Sequence, residues 1–312
     1  MASFSVPSPV PSPVEDAESL KKAFHGWGTD EKAVISVLAH RDAAHRQQIQ
    51  QAYEDLYKEN FIKRLESEIS GDFERAVYRW IFSSVEREAI IAKSAFGKVI
   101  NYRVIIETSC INSPNELLAV KQAYHARYKH SLEEDVASHT SGDFRKLLVG
   151  LVSTYRYDGD EVDARLAAVE AKTLHDVIKR KPLESEEAIR ILTTRSKAQL
   201  KAIFNKYKDE HKISISKDLE TEHPDEFASA LRIVVRCISS PQRYFEKLLR
   251  VVLTKSNLDE DTLTRVIVTR AEKDLQVMKE MYEKRTNVSL EKAISNETSG
   301  HYKSFLLALV RN

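Results

Sequence analysis

The strongest constraint on this chain is that it repeats itself. A shift of 71 residues carries Gln51-Ala52-Tyr53 onto Gln122-Ala123-Tyr124, while shifts of 154 and 229 carry Tyr53 onto Tyr207 and Tyr282. The same shifts take Phe73 to Phe144, Phe227 and Tyr302, and Leu65 to Val136, Leu219 and Ile294. Ser70-Gly71-Asp72-Phe73 returns as Ser141-Gly142-Asp143-Phe144 and as Ser299-Gly300-His301-Tyr302. Self-similarity at a fixed period means one supersecondary unit used several times, each copy covering its neighbour's apolar face. The spacing predicts a Pro/Ser-rich tail over 1–14 and four modules over 15–83, 84–155, 156–240 and 241–312.

Within a module the apolar period is helical. Val34, Ile35, Val37 and Leu38 give one buried stripe, and Thr29 reads as the N-cap before it, with Asp30 and Glu31 in the first turn. Further helices start at Asp42, Ser113 and Ser196 in successive modules. Ser113-Pro114-Asn115-Glu116 has the capping-box pattern with proline at the first helical position, and Ser196 with Gln199 gives another. One helix ends near Ile69, and the next carries Phe73, Val77, Trp80 and Ile81. No segment alternates as a strand does. The expected class is all-α, with about five short helices per module.

Composition narrows the function. With 42% hydrophobic residues the chain can bury a large core, so disorder is expected only at its start. Forty-eight Lys+Arg stand against 47 Asp+Glu, a balance that argues against a nucleic-acid partner. Two cysteines, Cys110 and Cys237, are too few for a disulfide scaffold and suit a reducing compartment. Met1 to Val14 lacks the basic-then-apolar order of a signal peptide, and the apolar run Phe305 to Val310 is too short to span a bilayer. These features point to a soluble intracellular protein.

The segment that carries chemistry is Phe24-His25-Gly26-Trp27-Gly28-Thr29-Asp30-Glu31, with Glu68 forty residues after Gly28. Two glycines let a backbone turn its carbonyls toward one point, and a distant carboxylate can close the cage around a hard, oxygen-seeking cation such as calcium. Read in isolation, the same glycines would serve equally as a plain turn between helices. Trp27 stands at what should be an exposed tip, where a large ring has little reason to be unless something apolar meets it.

Four modules with a G-x-G-T-[DE] loop, followed some forty residues later by an acidic residue, resemble the annexin family. The resemblance covers nearly everything from Glu15 onward. Gly26-Trp27-Gly28-Thr29, Gln122-Ala123-Tyr124-His125-Ala126-Arg127-Tyr128 and Tyr155-Arg156-Tyr157-Asp158-Gly159-Asp160-Glu161-Val162 look like its plant branch. It implies a curved all-α disc, calcium loops on one face, and reversible calcium-dependent attachment of a cytoplasmic protein to anionic phospholipid. In the family's loop three carbonyls and one bidentate carboxylate hold the ion. Mapped here, these fall on Phe24, Gly26, Gly28 and Glu68. Such a set leaves several of calcium's six to eight positions for water or lipid phosphate. Trp27 would then sit at headgroup level.

The other three modules depart from the pattern. Gly97-Lys98-Val99-Ile100 stands in the second, with His139 at the carboxylate position, so no calcium is expected there. Arg180-Lys181-Pro182-Leu183 replaces the loop in the third, although Glu222 remains. Lys255-Ser256-Asn257-Leu258 replaces it in the fourth, where Glu297 remains and Asn257 tolerates unusual backbone, so Lys255, Asn257 and Glu297 form a candidate weak site. Each altered loop carries fixed cations: Lys98; Lys179, Arg180 and Lys181; Lys255. They read either as a plain solvated face or as charges that meet an anionic leaflet at about 1 kcal/mol each, within a Debye length, where His139 would add to them in mild acid.

The resemblance suggests other activities: a calcium-permeable conductance, a weak peroxidase linked to a histidine such as His40, nucleotide hydrolysis, and F-actin contact at Ile189-Arg190-Ile191. No G-x-x-x-x-G-K-[ST] phosphate loop occurs in the chain. His40 reads more simply as a structural residue near a helix end, Ile189-Arg190-Ile191 as part of a core-facing helix, and the cysteines as buried thiols. The expectation is therefore a calcium and lipid-binding module without catalysis.

Overall fold

The computed structural model describes residues 2–26, 28–183, 185–254 and 257–311. Among them twenty α-helices occur, five to a repeat. The first repeat holds α1 (Pro13–Ala23), α2 (Glu31–Leu38), α3 (Ala43–Tyr57), α4 (Phe61–Glu68) and α5 (Gly71–Ile81). The second holds α6 (Ser84–Ser94), α7 (Tyr102–Ile111), α8 (Pro114–Tyr128), α9 (Leu132–Ser138) and α10 (Gly142–Ser153). In the third are α11 (Ala164–Lys179), α12 (Ser185–Thr194), α13 (Lys197–His211), α14 (Ile215–Glu222) and α15 (Glu226–Ser239). The fourth comprises α16 (Pro241–Val252), α17 (Glu260–Arg270), α18 (Leu275–Thr286), α19 (Leu290–Glu297) and α20 (Gly300–Val310). The only extended pairing among the described residues is an isolated bridge, Phe96 to Ile100.

Polar side chains at the helix starts set the boundaries. Asp42 accepts from the His45 amide, and Ser113 forms a reciprocal capping box with Glu116. Ser196 caps Gln199, whose own side chain goes instead to the Asp163 carbonyl, so the expected second capping box is only half formed. The third helix of every repeat ends on a left-handed residue, Lys58, Lys129, Lys212 and Asn287, none of them glycine. Each such lysine costs about 1 kcal/mol of backbone strain.

The chain divides into two compact units. One is formed by residues 1–87 and 242–312, the other by 88–241. In the first, α5 packs on α17 and α20, and Trp80 on α5 is fully buried. The Trp80 indole donates to the Leu38 carbonyl (2.7 Å), and the Arg46 guanidinium stacks 3.9 Å from its ring centre. In the second unit α7 packs on α15 and α11 on α13, and both cysteines are buried thiols.

Two expectations need correcting. Thr29 does not cap α2; Asp30 does, accepting from the Ala33 amide (3.0 Å), because the Thr29 hydroxyl is engaged elsewhere. The start of the chain is also not loose throughout. Ser3 is buried and donates its hydroxyl to the Leu309 carbonyl (2.6 Å), and Phe4 sets its edge against Trp80 (5.3 Å between ring centres). A single aromatic finding an apolar slot outweighs the local proline bias.

Candidate metal centre

The loop of the first repeat joins α1 to α2. Phe24 closes α1, and its buried ring packs on Tyr53 and Phe61, with ring centres 6.2 and 6.4 Å away. That anchor fixes where the Phe24 carbonyl lies. Gly26 and Gly28 follow at φ +117° and +87°, and a methyl group at either would meet no atom within 4 Å. Glycine is therefore needed there for its backbone, and the space beside it is open. Trp27 lies outside the described residues.

Glu68 reaches this loop as the last residue of α4. The Thr29 hydroxyl donates to both the Glu68 carbonyl (3.0 Å) and its carboxylate Oε2. The other carboxylate oxygen, Oε1, lies 2.6 Å from Nη2 of Arg64, one turn back on α4. The same Nη2 donates to the Phe24 carbonyl at 2.7 Å. Two oxygens from distant segments thus converge on one positive group. Of the four ligand positions, the structure brings Phe24 and Glu68 together around a cation and sets Gly26 and Gly28 in the turn between them.

An all-oxygen set of this kind suits a hard cation. Among the described residues no cluster of three or more His, Cys, Asp or Glu side chains could hold a metal by itself. An ion at this loop would rely on backbone carbonyls, which the open left-handed turn can supply.

The second repeat has replaced these features. Gly97 and Lys98 lead to Val99, which is 83% exposed, and the loop is pinched by the Phe96–Ile100 bridge. His139 packs at a tilt on Phe96 (5.0 Å between ring centres), and its Nδ1 lies 2.7 Å from the Asp135 carbonyl. One turn earlier, Asp135 takes an ion pair from Lys93 (3.0 Å) and a hydrogen bond from the Tyr124 hydroxyl.

In the third repeat a lysine fills the space. Lys179 Nζ bonds Asp218 at 2.7 Å and Glu222 at 2.8 Å, and Lys181 approaches the second Glu222 oxygen at 3.4 Å. Hydrogen bonds to Asp218 and Glu222 hold Lys179 above the usual lysine range, and the two lysines hold Glu222 below the usual carboxylate range. Arg180 is exposed. In the fourth repeat Lys255 and Ser256 lie outside the described residues, while Asn257 and Glu297 are exposed. Glu297 forms no ion pair among the described residues. It lines, with Glu68, Glu31 and His301, an open cleft of about 360 Å³ within the first unit.

A family model described as annexin matches residues 15–80, 88–151, 169–233 and 244–309. The chain belongs to the annexin family. It is 57% identical to the annexin-like protein RJ4 of Fragaria ananassa, over 95% of each chain, and reads as a plant-type annexin. Its fold matches annexin III with a TM-score of 0.93 at 32% identity, over 100% of this chain and 97% of that one. A calcium-bound annexin, (Sm)1, matches with a TM-score of 0.82 at 27% identity, over 99% and 93%. Calcium is the cofactor that membership carries, and calcium-dependent membrane binding at the periphery is its general property. No helix among the described residues is long and apolar enough to cross a membrane.

Two residues at this annexin's first loop escaped the sequence reading. Thr29 is a clamp on Glu68, not a cap, and Arg64 is the cation between the Phe24 carbonyl and the Glu68 carboxylate. The signal for Arg64 was present: it stands four residues before Glu68 on one helix, at a spacing where opposite charges meet. The shifts that align the repeats put Asp135, Asp218 and Ala293 at its position.

Of the other candidates, His40 lies with Nδ1 2.9 Å from the Ser5 carbonyl. Ile189 and Ile191 are buried, and Arg190 between them pairs with Glu187 at 2.9 Å.

Proposed function

We propose that this annexin attaches to anionic phospholipid through a single fully equipped calcium site, in the first repeat. Phe24, Gly26 and Gly28 present backbone carbonyls, and Glu68 presents its carboxylate. The observation that carries this reading is the convergence of the Phe24 carbonyl and Glu68 Oε1 on one positive group. When bound there, calcium supplies a charge shared between these oxygens and a lipid phosphate. The Thr29 hydroxyl holds Glu68 at the loop, and the buried Phe24 ring keeps its own carbonyl in register. Trp27 adds an amphipathic ring at the headgroups. Ion and phosphate complete one coordination shell, so their binding is linked, and each strengthens the other.

The remaining loops contribute charge. Lys98 is exposed and meets the leaflet directly, with Arg180 and Lys255 adding charge beside it. Lys179 and Lys181 contribute less, being engaged with Glu222. Asn257, Glu297 and Lys255 form a weaker second calcium site, supported by a Glu297 without a cation partner among the described residues. The protein acts from the cytoplasm, reversibly, and without nucleic acid. Peroxidase chemistry at His40 and F-actin contact at Ile189–Ile191 have less support, given the Ser5 contact of the first and the burial of the second.

The test is sedimentation with phosphatidylserine vesicles across a calcium series. Residues that merely support metal ligands are worth about 10–100-fold in affinity, so Glu68→Gln is expected to raise the calcium requirement by at least ~100-fold. Unchanged binding would place the site elsewhere.

A further inference from the structure

The Arg64 guanidinium occupies the place that the cation itself must take. Its Nη2 stands 2.6 Å from Glu68 Oε1 and 2.7 Å from the Phe24 carbonyl. Calcium needs oxygens at 2.3–2.6 Å. The ring of points that close to both oxygens passes within a few tenths of an ångström of the arginine nitrogen, so an ion shared by these two oxygens competes with the guanidinium for them. Resting on the calcium reading above, we infer that Arg64 is a built-in competitor at this site: it neutralises Glu68 at low calcium and must swing out before the ion enters.

Three observations favour a removable plug over a permanent ion pair. The Arg64 side chain is about a third exposed (33%), so it has solvent to move into. Its Nε is buried with no hydrogen-bond partner, so the guanidinium is incompletely satisfied where it sits. A second acceptor waits nearby: Glu59 Oε1 lies 3.8 Å from that Nε, while Lys21 holds the other Glu59 oxygen at 2.7 Å. Arg64 thus has a seat at Phe24 and Glu68 and a carboxylate to turn toward when displaced.

The repeats differ at this point in a way that isolates the device. In the third, the cations on Glu222 come from Lys179 at the end of α11 and from Lys181 in the altered loop, and the residue aligned with Arg64 is the acidic Asp218. In the fourth the aligned residue is Ala293, so Glu297 faces no competitor from its own helix. Among the described residues only the first repeat combines an open glycine turn with a cation on its fourth helix.

The functional consequence is a raised calcium threshold. Each calcium bound must displace a charge-assisted hydrogen-bond pair, and the protein stays off the membrane at calcium levels that the bare oxygen cage would already sense.

The test compares the wild type with Arg64→Ala, Arg64→Gln, Arg64→Lys and Glu68→Gln, each first checked for an unchanged melting temperature. Calcium is titrated by calorimetry without membrane, then by sedimentation with phosphatidylserine vesicles. Losing a partly exposed charged pair is worth roughly three- to tenfold. Arg64→Ala and Arg64→Gln are expected to lower the calcium requirement by that factor in both assays, and Arg64→Lys to stay near wild type. An unchanged or higher requirement in the first two would overturn the inference and make Arg64 a support for Glu68. Glu68→Gln separates the two levels. If it abolishes calcium binding while Arg64→Ala gains nothing, only the competitor falls; if it leaves binding intact, the site assignment falls with it.

Discussion

The loops after α1 and after α11 began as copies of one segment and now treat the same carboxylate in opposite ways. Glu68 is met by an arginine on its own helix, across an open turn at Gly26 and Gly28. Glu222 is met by Lys179, the last residue of α11, and by Lys181 in the loop that replaced the glycines. In the first case the cation can leave without disturbing the backbone. In the second it belongs to the backbone that would have to provide the carbonyls. On the proposed calcium reading, the carboxylate alone does not make a site; what decides is whether its resident cation is separable from the loop.

The most drastic way to break this contrast is to rebuild the third loop on the pattern of the first. Lys179→His, Arg180→Gly, Lys181→Trp and Pro182→Gly together are expected to add a second calcium equivalent in titration calorimetry. A stoichiometry that does not change would mean that Glu222 lacks more than a loop.

A smaller effect follows from Lys179 alone. Asp218 is almost fully buried, and burial raises its pKa, yet hydrogen bonds from Lys179 and Tyr207 bring it below the ordinary range. A group with a lowered folded pKa stabilises the fold above its unfolded pKa, about 3.9, and loses that contribution as pH falls through the folded value. Lys179→Met leaves the buried carboxylate short of a partner. After discounting for the half-exposed lysine, the expected loss is about 1–2 kcal/mol at pH 7. The deficit should shrink as pH falls below the ordinary carboxylate range and through the lowered folded pKa, where Asp218 takes up its proton. Urea unfolding across that fall in pH checks this; a deficit that does not change with pH would remove Asp218 from the account.

The smallest expected effect concerns charge without calcium. With chelator present, at low ionic strength, Lys98→Ala should weaken binding to anionic vesicles about fivefold, the equivalent of ~1 kcal/mol per lysine near the leaflet. Lys181→Ala should weaken it less, because Glu222 already engages that charge. Equal losses would mean that the pairing with Glu222 does not survive at the membrane.

Much of this was legible in the residues. Tyr53, Phe73 and Leu65 return at fixed shifts because each holds the same place in a helical core, and Asp42 and Ser113 announced their helices by cap chemistry. The glycine pair and the acidic residue forty positions on were visible for the same reason: backbone freedom and a carboxylate are both written in single residues. What could not be read is how side chains with several possible partners choose among them. Thr29 caps or clamps according to where Glu68 lies in space, and only the folded α4 brings Glu68 to it. Lys179 reads as a solvated charge until Asp218 and Glu222 appear beside it. The left-handed ends at Lys58, Lys129 and Lys212 carry no glycine to mark them, so packing alone imposes that conformation.

The division into units has a consequence for how the chain is made. Residues 88–241 form one unit from a continuous stretch, so every contact of its core is available once that stretch has left the ribosome. The other unit is discontinuous. Helix α5, with Trp80 at its heart, packs on α17 and α20, which are synthesised only after the entire second unit. Until then the first repeat holds its glycine loop on half a core, with α5 lacking its later partners. The unit that carries the proposed calcium site is thus the last to be completed, and the closure that completes it spans nearly the whole length of the chain, a slow kind of contact to form.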